Sequence, residues 1–229
     1  MRTESVLTWM AALVLASAAA QVLASDDDKY EKVLGAVEVQ PGEHVTNATS
    51  VNGSVEIGAN AVVKHAGTVN GHVTVHEHAA VGSVETVNGG IDIEQAVHVA
   101  GNVGLVNGHI ALAAGADVGG HLSNVNGAIE LTAAHVGGGI ETTNSKLTVG
   151  ANSRVEGGIL YNETHESWFN WVSFFGFGES SVPQVVIGPG AIVKGKLRFR
   201  RDVKLYVSDQ ATIDSVEGAT VIKFSGAHP

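Results

Sequence analysis

"TVNGHVTVHEHAAVGSVETVNGG", Thr68 to Gly90, opens on Val-Asn-Gly and comes back to Val-Asn-Gly eighteen residues later. The return is not confined to this stretch. Asn52, Asn70, Asn88, Asn107, Asn126 and Asn144 are separated by 18, 18, 19, 19 and 18 residues. The first five stand in Val-Asn-Gly and the sixth in Thr-Asn-Ser. A short, nearly fixed period is the mark of a solenoid, in which each unit stacks on the next.

The pattern inside one unit selects the kind of solenoid. After each Asn-Gly, apolar residues alternate with others: Val55 and Ile57, Val73 and Val75, Ile91 and Ile93, Ile110 and Leu112, Ile129 and Leu131, Leu147 and Val149. Period two is the signature of a strand with one buried face. The intervening Glu56, Thr74, Asp92, Ala111, Glu130 and Thr148 are assigned outward. A second apolar point recurs at Val63, Val81, Val99, Val118 and Val155. A third recurs at Val84, Val103, Leu122, Ile140 and Ile159. Glycines are expected at corners, and no unit carries a capped, helix-length pattern.

The expected fold is all-β, a single-stranded parallel β-solenoid of about nine coils of 18–19 residues. The Asn side chains then form a ladder at one corner, each amide within reach of the next, the following Gly turns the chain, and the preceding Val points inward. An Asn-Gly hairpin in an antiparallel sheet is the alternative. The constant period favours the parallel stack.

The chain has 229 residues with 44% apolar, only 5% aromatic, 29 glycines and a formal net charge of -10. Such Val, Ile, Leu and Ala content suits thin β layers and is too apolar for a disordered chain. Residues 1–24 read as a signal peptide: Arg2, an apolar run from Val6 to Ala20, then small residues. An uncleaved anchor is the other reading of that run. Residues 25–34 are an acidic segment expected to be flexible, 35–224 the solenoid domain with an insertion at 160–184, and 225–229 a tail. There is no cysteine, hence no disulfide and no lipoprotein anchor. The expected location is secreted or periplasmic, in a bacterium.

Ile187-Gly188-Pro189-Gly190-Ala191-Ile192-Val193-Lys194-Gly195-Lys196-Leu197 resembles the coil of bactofilins, bacterial polymer-forming proteins. The Asn-Gly coils are similar to the solenoid heads of bacterial surface adhesins. The resemblance implies a structural or assembly protein, with a homo-oligomer or filament as the expected partner state. The export signal and the aromatic insertion depart from the bactofilin pattern.

That insertion holds Trp168, Phe169, Trp171, Phe174, Phe175 and Phe177, two of three tryptophans and four of six phenylalanines. It is either a flap over the solenoid or a docking patch, since Trp and Phe favour interfaces with partners and bilayers. Lys194, Lys196, Arg198 and Arg200 alternate along the next strand and share one face. This basic stripe is suited to anionic lipid, lipopolysaccharide phosphate or acidic polysaccharide, and less to nucleic acid given the compartment and acidic total. Its bland counterpart is a solvated face paired with nearby acids.

Eleven histidines raise the question of metal. His76 is expected beside Glu94, with His78 two residues on, but His72, His98, His109, His121 and His135 fall into no evident column, and no metal or cofactor is assigned. Glu56 and Asp92, two coils apart, lie ~10 Å from each other, beyond an inverting carboxylate pair. No phosphate loop, triad or cofactor fingerprint appears. The expectation is therefore no enzyme, with a β-helix carbohydrate-active enzyme as the alternative.

Overall fold

The computed structural model describes residues 29–163 and 182–229. Their fold is a parallel β-solenoid of about ten turns with no helix. Each coil contributes three short strand segments, and every pairing is parallel and joins one coil to the next. One column runs Val55, Val73, Ile91, Ile110, Ile129, Leu147, Val185, Leu205 and Val221. The antiparallel hairpin alternative is thereby excluded. All twelve inward residues expected after the Asn-Gly corners are buried, as are the second and third apolar points. The core is one continuous aliphatic column, because period-two burial recurs at each coil.

The stack begins earlier than expected. Lys29–Leu34 is a strand paired with 47–52, so the described part of the segment expected to be flexible supplies the first coil edge. Residues 1–28, including the segment read as a signal peptide, lie outside the described residues.

The Asn-Gly corner works differently in one respect from the expectation. Val51, Val69, Val87, Val106 and Val125 are only half-buried, and the residue before each faces inward: Ser50, Thr68, Thr86, Leu105 and Asn124. Alternation forces this, since the residue after an inward one must face out. The inward hydroxyls have a use. Ser50 Oγ donates to Gly35 O at 2.9 Å and Thr68 Oγ1 to Gly53 O at 2.8 Å, tying each corner to the coil that follows it.

Glycine at that corner is required by the approach of neighbouring coils. A Cβ on Gly53, Gly71, Gly89, Gly108 or Gly127 would fall on the carbonyl oxygen of the glycine one coil earlier. The corner after the next strand has a different need, a left-handed residue at φ between 45 and 75°. There Gly42, Asn60, His78, Ala96, Gly115, Ala133, Asn152 and Gly190 follow one another up the stack. Asn tolerates this conformation better than Ala does.

The aromatic insertion leaves from the Asn-Gly corner. Ile140 pairs with Ile159 and Leu147 with Val185, so 26 steps replace the usual seven between these columns. The coil keeps more of this segment than expected: Tyr161 is fully buried and Gln184 is already in a strand, which confines the insertion to 162–183. Tyr161 stacks at 5.4 Å on Phe199, and its hydroxyl donates to Ser145 O at 2.8 Å. Burial pushes its phenol well above the ordinary range.

Candidate functional site

The Asn ladder is present, with a direction. Each Nδ2 donates to the Oδ1 of the preceding coil: Asn70 to Asn52 at 2.9 Å, Asn88 to Asn70 at 3.0 Å, Asn107 to Asn88 at 3.1 Å and Asn126 to Asn107 at 3.0 Å. Asn144 is in register with Asn126, but its Oδ1 accepts from Arg201 Nη1 at 3.0 Å. Arg201 also donates to Thr143 O at 2.9 Å. The guanidinium thus holds the corner from which the insertion departs.

The basic strand lies where alternation placed it. Leu197 and Phe199 are buried, and Lys196, Arg198 and Arg200 are exposed. Two members of the stripe have acidic partners. Lys194 Nζ is 3.1 Å from Glu156, and Arg198 Nε is 3.3 Å from Glu217. Arg154, foremost, and Lys194 hold the Glu156 carboxyl below its usual range. Lys196 and Arg200 are left as the outward cations of this face among the described residues. Trp168, Phe169, Trp171, Phe174, Phe175 and Phe177 lie outside the described residues.

The histidines form columns, contrary to expectation. His72, Gly90 and His109 share one, on three successive coils. Asp92 lies two residues beyond Gly90 on the middle coil. His72 Nε2 is 2.7 Å from Asp92 Oδ2, and His109 Nε2 is 3.2 Å from Asp92 Oδ1. A second column runs His98, Asp117 and His135. Their Nδ1 atoms lie 2.8 and 2.6 Å from the two Asp117 oxygens. The hydrogen bond from His135, then that from His98, holds the Asp117 carboxyl below its usual range against its partial burial.

His76 stands between Glu56 and Glu94, with Nε2 2.9 Å from the first and Nδ1 3.1 Å from the second. The Glu94 neighbour was expected from the register; the Glu56 neighbour was not. The Glu56 hydrogen bond is the main reason that the imidazole pKa rises. These residues line a shallow concavity of about 320 Å³ together with Glu38, Pro41 and Glu77. His78 takes no part: it occupies the left-handed corner instead of extending the strand.

The signal for the first column was available in the sequence. His72, Gly90 and His109 each follow a ladder Asn by two residues. The glycine hid the column, because a gap in the middle rung reads as no repeat.

Comparison with family models, with curated proteins and with solved structures finds no match.

Proposed function

We propose that this chain is an exported structural rod that works through surface interaction, not through catalysis. The observation that carries the reading is how its inward columns end. The column Val39, Ile57, Val75, Ile93, Leu112, Leu131, Val149, Ile187 and Val207 ends on Lys223. At the other end, the column of Ser50, Thr68 and Thr86 starts on Lys32, whose Nζ turns out to Ala36 O at 2.5 Å. An ammonium at the end of an inward-facing column, apolar or hydroxyl-lined, is harmless while water reaches it. A second copy stacked end-on would bury it, at a cost of several kcal/mol. The two lysines therefore favour a discrete rod, roughly 45 Å long at ~4.8 Å per coil, over the filament that the bactofilin likeness implies.

The sides of the rod are then its working surface. Docking to anionic lipid, lipopolysaccharide or acidic polysaccharide would draw on Lys196 and Arg200, with the aromatic insertion beside them in the chain. For the enzymatic alternative, Glu56 and Asp92 would have to be free to act, and both are engaged by histidines.

Sedimentation velocity over a wide concentration range tests the assembly half of this reading. A single slow species is expected for the native chain, and end-on association for Lys32→Leu with Lys223→Val. Filaments of the native chain would sink it. Co-sedimentation with phosphatidylglycerol vesicles tests the docking half. Binding should fall in Lys196→Glu with Arg200→Glu, and separately in Trp168→Ala with Trp171→Ala.

A further inference from the structure

We propose that His72, Asp92 and His109 form a binding site for one late first-row divalent cation such as Zn2+ or Cu2+. The proposal is independent of the reading of the rod as a structural protein.

The site is built by the register. His72 and His109 belong to coils that are two steps apart, and only Gly90 separates them. A Cβ at Gly90 would run into the Cε1 atoms of both imidazoles. Because none is there, the rings lean over the middle coil and come within 5.4 Å of each other, centroid to centroid. Both then present Nε2 to the same carboxylate, one to each oxygen. The positions flanking Asp92 on the adjacent coils are Thr74 and Ala111, whose small side chains leave the carboxylate open.

The three donor atoms lie within 4.8 Å of one another. Tetrahedral Zn2+ with bonds of about 2.0–2.1 Å sets its ligand atoms ~3.4 Å apart. The site asks side-chain rotation to close that difference. The side chains are 35%, 40% and 52% exposed in the order His72, Asp92, His109, so an ion can enter and water can complete its shell. Two imidazoles and a carboxylate suit Zn2+ and Cu2+, with Cu2+ held tighter. The ion would take the place of the Nε2 hydrogens that now point at Asp92, each neutral ring then carrying its one proton on Nδ1.

The other two clusters lack this convergence. His98 and His135 are in register with Asp117 itself, one coil to either side, and the three donor atoms do not all come within 4.8 Å of one another. His76 offers its two nitrogens to different glutamates, and one ring cannot turn both toward a single ion.

The test uses the full chain stripped of metal by chelation. Cu2+ is titrated and followed by electron paramagnetic resonance, and Zn2+ binding is measured by calorimetry. One tight equivalent is expected, with hyperfine structure from two imidazole nitrogens. His72→Ala and His109→Ala should each weaken it roughly tenfold or more. His109→Gln should weaken it as much, although the amide still donates to Asp92, which separates ligation from mere structural support. His98→Ala and His135→Ala should leave it unchanged. The proposal falls if no saturable binding appears below millimolar metal. It falls equally if the first equivalent survives loss of His72 and His109, or is lost with His98. Circular dichroism confirms that each variant keeps its strands.

Discussion

Gly108 shows what the Asn-Gly corner demands of a single residue. Its φ is 142°, and a Cβ there would fall on Gly89 O, a main-chain atom that cannot swing aside as a side-chain tip can. Gly108→Ala must therefore push two coils apart at a corner where their carbonyls and amides are paired. The expected loss is about 3–5 kcal/mol, in the range reserved for backbone conflicts and core disruption. Denaturant unfolding monitored by circular dichroism measures it. A loss below about 1 kcal/mol would mean that the corner relaxes freely and that close approach is not why glycine is there. The sequence made glycine expected at this point, but not its reason. Positive φ and close approach look alike in one chain, and only the position of the carbonyl one coil earlier separates them.

At the scale of one element, the ladder is a chain of equivalent bonds with distinct ends. Asn88 donates to Asn70 and accepts from Asn107, whereas Asn52 accepts from Asn70 alone. Both are exposed, so each bond contributes modestly, ~0.5 kcal/mol at the lower end of the usual range. Asn88→Ala should cost about 1 kcal/mol and Asn52→Ala about half as much, read as shifts in denaturation midpoint at a constant slope. Equal costs would mean that the side chains support their own coils instead of one another. The ladder was legible in the sequence because its rungs are identical. The position of its sixth rung was legible too, but not its bond, since Arg201 reaches Asn144 from 57 residues away. The inward placement of Thr68 and Thr86 was also missed. A Val beside a Thr reads as the buried one, until the corner carbonyl supplies the hydroxyl with a partner.

For the whole molecule, the period announced both the fold and its direction of stacking, because parallel stacking alone brings like residues together every coil. What stayed hidden, beyond the neighbours His76 and Glu94, was the alliance of histidines with acids across coils, which needs the register residue by residue. That alliance sets how stability depends on pH. The folded pKa of His76 is raised, chiefly by Glu56. Its contribution is therefore complete below the unfolded value of ~6.5 and is lost as pH rises through the higher folded value. Burial pushes the Glu85 carboxyl up, which also favours the folded state on acidification, in a window starting near the ordinary Glu value. Asp117 behaves oppositely. Its folded pKa is lowered by His135 and His98, so its contribution stands above ~3.9 and disappears only as pH falls through the lower folded value. The three together place the most stable range on the mildly acidic side of neutrality. Acidification also relieves repulsion in a chain of net charge -10, so the trend alone does not identify its source. The comparison that does is His76→Gln against the native chain, each melted at pH 5.5 and pH 8. The native chain should melt higher at pH 5.5, and the variant should lose part of that difference by falling mainly at the acidic pH. An unchanged difference would assign the trend to general charge and remove His76 from it.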